Sequence, residues 1–308
     1  ETLTLSGAGA MTVTGHNSTG TVTSSGAGAL GITTGTNATT ISSASATTVT
    51  SALQTTEALT ISGAGAFTIG DWVSTGTLTS SNTADVDITL VARATGTLAL
   101  GTDTDGTDTV VATALTDGQI VTMTGSNDAT VSFVNGDVTA SAYAGAMTVT
   151  GTGTTGQYTT GTASSSISST GATAIVATAL ADDETLTTSG AGATTITGLI
   201  ADLTDTTTAA QDITVGDVAT ITLALGTDTA GTDAVNATAL TDTDVLTMTG
   251  ANDATVTLVA GDLTAGSYTG ALTVTVSGAG GTNVITTGSG ADSITSYTGA
   301  DLVVAGLG

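Results

Sequence analysis

The sequence has 308 residues and a formal net charge of −25, with 26 acidic side chains against one lysine or arginine, no cysteine, no proline and only 2% aromatic residues. This charge argues against nucleic acids and anionic lipids as partners, and the lack of cysteine excludes disulfide scaffolds, thiol chemistry and zinc–thiolate sites. No apolar run approaches the roughly 18 residues that span a bilayer, so membrane insertion is not expected. The apolar residues are mostly small or β-branched, and such residues can fill only a thin core, as in proteins built from stacked coils.

Short strands separated by glycine–alanine turns are predicted from the first residues onward. LTLS at 3–6, GAGA at 7–10 and MTVT at 11–14 read as strand, turn and strand, and similar phrases recur at 21–34, 59–69, 186–197 and 272–286. The alternation places Leu, Val and Ile on one face and Thr on the other. No strong amphipathic helix is present, and only the stretch from Gly198 to Ala210 is predicted to form a short helical turn.

A longer repeat organises the middle of the chain. Residues 98–150 align without gaps on residues 223–275, with 37 of the 53 positions identical, and all three glutamates, Glu1, Glu57 and Glu184, begin the same phrase. We therefore divide the chain into a partial or divergent copy (1–51), two β modules (52–178 and 179–277) and a glycine-rich end (278–308).

Two all-β architectures fit this pattern. One is an elongated parallel β-solenoid, or β-helix, in which each coil contacts only its neighbours; the other is a tandem set of β-sandwich domains. Sandwich cores usually contain large aromatic residues, whereas the single tryptophan, Trp72, has no counterpart in the second module. The solenoid is therefore favoured.

An acidic turn occurs once in each module. Aspartates alternate before a glycine in DTDGTD at 103–108, an arrangement typical of the start of calcium loops, but the bidentate glutamate of an EF-hand is missing. The second copy keeps only the outer two acids. The alternatives are a metal site and a solvated turn, and the candidate ligands are Asp103, Asp105, Asp108, Asp228 and Asp233.

A nine-residue period marks the C-terminal segment. Asn283, Asp292 and Asp301 are nine residues apart; each is preceded by a glycine two residues earlier and followed by an aliphatic residue two later. The phrase GSGADSI at 288–294 fits G-x-G-x-D-x-U, where U is a large aliphatic residue, and it resembles the nonapeptide repeats of the RTX (repeats-in-toxin) family.

The RTX resemblance implies a parallel β-roll that binds Ca²⁺, with carboxylates and glycine carbonyls as ligands. The implied ligands are Asp292 and Asp301, with Asn283 in place of an acid and with turns at Gly290 and Gly299. A plain glycine–aspartate turn is the alternative. The segment GLG at 306–308 looks like the start of another repeat, and the chain opens in mid-pattern, so we expect it to be a piece of a longer protein.

Catalysis is not expected from these residues. The single histidine, His16, lies in a polar turn, and without cysteine, lysine or a second histidine no standard triad or metal-hydrolase site can be assembled. Thr-x-Thr phrases are also typical of ice-binding solenoids. The alternative interpretation of these threonines is that they cover the solvent-exposed face of each strand.

The chain as a whole looks like part of a type I-secreted bacterial surface-layer protein. The resemblance implies an extracellular, calcium-stabilised structural protein that self-assembles into a lattice or filament on the cell, with a cell-surface glycan as the candidate anchor. The alternative function is the stalk of a large RTX-type adhesin.

Overall fold

A computed structural model describes residues 1–50, 56–72, 75–91, 95–101, 106–153, 155–226, 231–279, 282–298 and 301–306. The chain divides into two compact units, Glu1–Gln157 and Tyr158–Gly308. Within the described ranges all regular structure is β-strand, and no helix there could cross a membrane.

The first unit is built from sixteen described strands, followed by β17 (Gln157–Thr159) at the boundary in sequence. The sixteen are β1 (Thr2–Leu5), β2 (Met11–His16), β3 (Thr21–Ser24), β4 (Leu30–Thr34), β5 (Thr39–Ser43), β6 (Thr47–Thr50), β7 (Leu59–Gly63), β8 (Phe67–Trp72), β9 (Thr77–Asn82), β10 (Val86–Leu90), β11 (Gly96–Ala99), β12 (Thr107–Ala112), β13 (Ile120–Gly125), β14 (Asp128–Phe133), β15 (Asp137–Tyr143) and β16 (Met147–Gly151).

The second unit continues the same alternation of short strands and corners. Its described strands are β18 (Ser165–Ser169), β19 (Thr173–Val176), β20 (Thr185–Gly190), β21 (Thr194–Leu199), β22 (Asp202–Thr207), β23 (Gln211–Val215), β24 (Thr220–Ala224), β25 (Thr232–Ala237), β26 (Val245–Thr249), β27 (Asp253–Leu258), β28 (Asp262–Thr264), β29 (Leu272–Ala279), β30 (Val284–Thr286), β31 (Ser293–Thr298) and β32 (Leu302–Val304).

Within each unit, odd-numbered strands form one sheet and even-numbered strands form a second. Each described pairing is parallel and joins a strand to the one two further along the chain. The partner residue lies one turn later, for example 19 residues later where Thr2 faces Thr21, and 25 later where Thr220 faces Val245. Each unit is therefore a parallel β-solenoid. The predicted solenoid is confirmed, and the tandem-sandwich alternative is wrong because each described pairing is parallel, whereas the sheets of such sandwiches are antiparallel.

The core of each unit is a set of aliphatic ladders, one residue per turn. In the first unit a single register line runs through seven buried residues: Ile32, Val49, Ile69, Ile88, Val110, Val131 and Val149. In the second unit the corresponding type of line contains Ile175, Ile196, Ile213, Val235, Val256 and Val274. Burying each such side chain contributes roughly 1.5–3 kcal/mol, so stability is spread evenly along the stack.

Threonine and serine occupy the outward positions between the ladder residues. One rank in the first unit runs through Thr2, Thr21, Thr40, Thr60 and Thr79, which face each other in register. This alternation, inward aliphatic and outward hydroxyl, follows from the period of two residues in an extended strand.

Bulges near the ends of three strands turn the following side chain toward the core. Gly15, Asp71 and Gly198 have φ values of 66°, 54° and 69°, and the sheet register shifts at each of these places. The residues that follow Asp71 and Gly198, Trp72 and Leu199, are buried. His16, which follows Gly15, is half-buried at the end of β2 rather than in a solvated turn.

The helical turn predicted from Gly198 to Ala210 is wrong. The segment contains the end of β21 and all of β22. Leu203, Asp205 and Thr207 alternate with exposed residues and are buried, so the period is two, as in a strand, and the bulge at Gly198 interrupts the alternation just before it.

The two copies of the long repeat have the same strands. The aligned residues 98–150 and 223–275 place β12 to β16 opposite β25 to β29, and β12 and β25 match end to end. The similar sequences of the two copies therefore form similar local structures.

Candidate functional site

Four of the predicted site residues lie outside the described residues: Asp103, Asp105, Asp228 and Gly299. The other two predicted ligands of the acidic turns, Asp108 and Asp233, are buried rather than solvated. Each is only 1% exposed and lies in the strand that follows the acidic turn.

Asp108 belongs to a buried hydrogen-bond network. Its Oδ1 accepts a bond from the Val86 backbone N–H at 2.8 Å, and its Oδ2 accepts one from Asn127 Nδ2 at 3.0 Å. Tyr143 completes the network by donating its hydroxyl to the Asn127 backbone carbonyl at 2.5 Å. The three residues come from successive turns of one unit, so the network ties neighbouring turns together.

The second module repeats this network residue for residue. Asp233 accepts bonds from the Gln211 N–H at 2.9 Å and from Asn252 Nδ2 at 3.1 Å, and the Tyr268 hydroxyl donates to the Asn252 carbonyl at 2.6 Å. In both modules the asparagine is at most 2% exposed and its Oδ1 has no hydrogen-bond partner. Asn127 and Asn252 are thus buried partners of the two aspartates.

These contacts describe a structural role for Asp108 and Asp233. A buried carboxylate is costly unless donors surround it, and here a backbone N–H and a side-chain amide supply them. Among the described residues no group of three His, Cys, Asp or Glu side chains is placed to hold a metal ion. Metal binding by these two aspartates stays a prediction.

The C-terminal repeat brings together one pair of the predicted ligands. Asp301 Oδ1 accepts bonds from the backbone N–H of Asn283 at 3.3 Å and from its Nδ2 at 3.0 Å. Asp292 lies one strand earlier, and its Oδ1 accepts the Leu272 N–H at 3.0 Å. Asp292 and Asp301 therefore precede strands of different sheets, whereas Asn283 and Asp301 lie on adjacent turns.

The last described turn is as long as two nonapeptides. Val284 faces Leu302, and Ile285 faces Val303, each pair 18 residues apart. Gly290 lies where a side chain does not fit, because a Cβ atom there would be 2.0 Å from the Gly270 carbonyl oxygen. Glycine at this position is thus required by the close approach of the previous turn.

The Asn283–Asp301 pair consists of a carboxylate and an amide joined by hydrogen bonds. A hydrogen bond from Ser296, supported by the backbone and side chain of Asn283, lowers the pKa of the Asp301 carboxyl, although partial desolvation opposes this. Asn283 is 2% exposed and its Oδ1 has no hydrogen-bond partner. A carboxylate and a free amide oxygen are both ligands that hard cations prefer.

A second polar cluster was not anticipated from the sequence. Asp205, Thr207 and Gln211 are buried at the corner between β22 and β23, and Thr188 Oγ1 donates to Asp205 Oδ1 at 2.6 Å. The signal that could have found it is the period-two pattern of β22, which places an aspartate and a threonine at inward positions.

Tyr158 is another buried polar group of the second unit. Its hydroxyl lies 3.2 Å from Ser165 Oγ, and burial raises the pKa of Tyr158 to about 12. The phenol is therefore neutral at physiological pH and acts as a packed aromatic residue of the core.

No family model matches the chain, and no significant match was found among curated proteins or among solved structures.

Proposed function

We propose that the chain is a calcium-stabilised structural component of the bacterial cell surface that self-assembles into a layer or filament. The observation that carries this proposal is the construction of each unit, a stack of parallel turns joined by unbroken aliphatic ladders. Such a stack resists deformation because every turn is hydrogen-bonded to the turns before and after it.

The charge of the chain supports a role for calcium. A formal charge of −25 opposes compaction unless cations reduce it. Calcium outside cells is abundant enough to fill weak sites, and an ion that binds only the folded state adds stability. An extracellular location and calcium binding are thus consistent with each other.

The C-terminal turns support the RTX-like β-roll as the calcium-binding part. The last described turn, in which Val284 faces Leu302, has the 18-residue length of two nonapeptides, whereas the turn before it, in which Thr273 faces Ser293, has 20. Asn283 contacts the Asp301 carboxylate of the next turn through Nδ2, and its own Oδ1 has no hydrogen-bond partner. We propose Asp301 and Asn283 as first ligands, with Asp292 serving the neighbouring corner.

A calcium titration followed by thermal unfolding and electron microscopy tests the proposal. Calcium should raise the melting temperature and promote ordered sheets or filaments, and EGTA should reverse both effects. The variant Asp301→Asn should weaken the response, whereas Asp87→Asn, which removes the same charge from the exposed face of β10, should leave it unchanged.

Each outcome of this titration is informative. A melting temperature that ignores both calcium and EGTA would contradict the calcium role. Separate particles that never assemble, even with calcium bound, would contradict the lattice and favour the stalk of an RTX-type adhesin.

A further inference from the structure

Three buried polar side chains meet at the corner between β22 and β23. Asp205 and Thr207 are each 2% exposed, and Gln211 is fully buried. Thr207 Oγ1 lies 3.1 Å from Asp205 Oδ2 and 2.5 Å from Gln211 Nε2. We propose that this cluster is a self-modification site, in which Thr207 Oγ1 and Gln211 Cδ become joined by an ester bond with Asp205 as the general base.

Asp205 is placed to activate the hydroxyl. Its Oδ2 accepts the Thr207 hydroxyl, while its Oδ1 is held by Thr188 Oγ1 at 2.6 Å and by the Thr207 backbone N–H at 3.1 Å. The hydroxyl has a second acceptor, the Ala209 carbonyl at 3.2 Å, and the carboxylate contact is the shorter one. A hydroxyl becomes an effective nucleophile when a neighbouring base takes its proton.

The glutamine amide is fixed beside this hydroxyl. Gln211 Nε2 donates to Thr207 Oγ1 and to the Ala209 carbonyl at 2.6 Å, so both of its hydrogens are engaged. Gln211 Oε1 is buried and has no hydrogen-bond partner, which costs free energy because an amide oxygen is a strong acceptor. An ester carbonyl is a weaker acceptor, so the product reduces that cost.

The reaction balances without any added reagent. Asp205 takes the Thr207 hydroxyl proton, Oγ1 forms a bond to Gln211 Cδ, and the Cδ–Nε2 bond breaks. Asp205 passes the proton to the departing nitrogen, which leaves as ammonia. The products are one ester, one ammonia and the unchanged carboxylate.

Proximity and electrostatics set the expected rate. Holding hydroxyl and amide in contact replaces a bimolecular encounter by an intramolecular one. The negative charge of the intermediate would develop on Gln211 Oε1, which lacks a donor, and such donors normally supply much of the rate. The step is therefore a slow, single-turnover maturation of the folded chain.

The first unit shows that the corner does not need this arrangement. At the equivalent corner Asn82 Nδ2 donates to the Ala84 carbonyl at 2.7 Å, which is the bond that Gln211 makes to Ala209. Ser80 and Val86 stand where the second module has Asp205 and Gln211. One asparagine thus bridges the corner there, with its own Oδ1 likewise unpartnered, without a hydroxyl and a glutamine in contact.

Peptide mass spectrometry of the full chain tests the proposal. Cleavage before aspartate releases residues 205–211 as one peptide, because Asp205 and Asp212 flank it. After folding and prolonged incubation at neutral pH, this peptide should be lighter by one ammonia, and hydroxylamine should open the ester. An unmodified 205–211 peptide from the folded, incubated protein would overturn the proposal.

Variants separate the roles of the three residues. Thr207→Val should abolish the ammonia loss, and Asp205→Asn, followed in the peptide 202–211, should slow it by at least tenfold. Thr206→Val, which changes the exposed neighbour, should behave as the parent chain. Loss of ammonia from the Thr207→Val peptide would also overturn the proposal. The Asn135–Gly136 pair, which can lose ammonia by cyclisation, falls in a different peptide and serves as an internal reference.

Discussion

Backbone strain at a single residue is concentrated at Asp71. This is the one non-glycine residue with positive φ in the described part of the chain, and the left-handed region is costly for any residue with a Cβ atom. The strain accompanies the bulge that turns Trp72 inward. Burial of this indole, the largest side chain in the unit, offsets the conformational free energy of the strained residue.

Replacing Asp71 by glycine should therefore stabilise the chain. The expected gain is up to about 1 kcal/mol in the free energy of unfolding, because glycine adopts this conformation freely. The matched control is Asp87→Gly, which removes the same charge from an extended residue of β10 and should cost about 0.5–1 kcal/mol. Denaturant unfolding of both variants measures the difference, and equal losses would show that Asp71 is not strained.

Acid should weaken the contribution of Asp301. Its pKa is lowered in the folded state by the hydrogen bonds from Ser296 and Asn283, so the ionised carboxylate adds stability at neutral pH. That contribution is present above the unfolded pKa and is lost as the pH falls through the folded pKa. The difference in melting temperature between the parent and Asp301→Asn should be constant near neutral pH and shrink as the pH falls below about 4, the ordinary pKa of the aspartate carboxyl; a difference that does not change in acid would contradict this assignment.

The corners between strands depend on glycines that admit no side chain. At the end of β7, Gly63 has a φ of 123°, and a Cβ atom there would lie 1.9 Å from the Ser43 carbonyl oxygen. Gly70 in the next strand has nothing within 4 Å of the same position. A side chain is thus excluded at Gly63 but has room at Gly70 in the same turn.

This contrast predicts opposite effects of alanine. Gly63→Ala should cost more than about 2 kcal/mol, from overpacking against the previous turn together with backbone strain. Gly70→Ala should gain up to about 1 kcal/mol, because alanine loses less entropy than glycine in a strand. Thermal and urea unfolding would measure both, and similar tolerance at the two sites would refute the close approach of the turns.

Much of each strand could be predicted from alternation alone. The inward Ile and Val and the outward Thr of the ladders follow from a period of two, which acts within a few residues. The corners could not be predicted in this way. Asn127 contacts Asp108 across 19 residues, and Asp205 contacts Thr188 across 17, so these contacts depend on turn length, which varies along the chain. The helical turn predicted from Gly198 failed because a bulge interrupted the period.

At the scale of the whole molecule, the described sheet pairings all join neighbouring turns, although the length of a turn varies from 17 residues (Leu30 to Thr47) to 25 (Thr220 to Val245). Sheet partners lie roughly 20 residues apart in sequence in both units, which is short for a chain of this length. Stacks of this kind are stabilised by nearest neighbours and can grow by adding turns. The long repeat and the nonapeptide end differ in sequence, yet in both each strand pairs in register with the strand one turn later.

Trp72 gives the chain a built-in optical reporter. It is the sole tryptophan, it is 1% exposed, and it belongs to the first unit, so its indole emission follows the solvent exposure of that unit alone. Two of the three tyrosines of the second unit, Tyr158 and Tyr268, are equally enclosed and emit at shorter wavelengths than an indole. Selective excitation of the indole can thus follow melting of the first unit in the unmodified protein, with no dye or label attached.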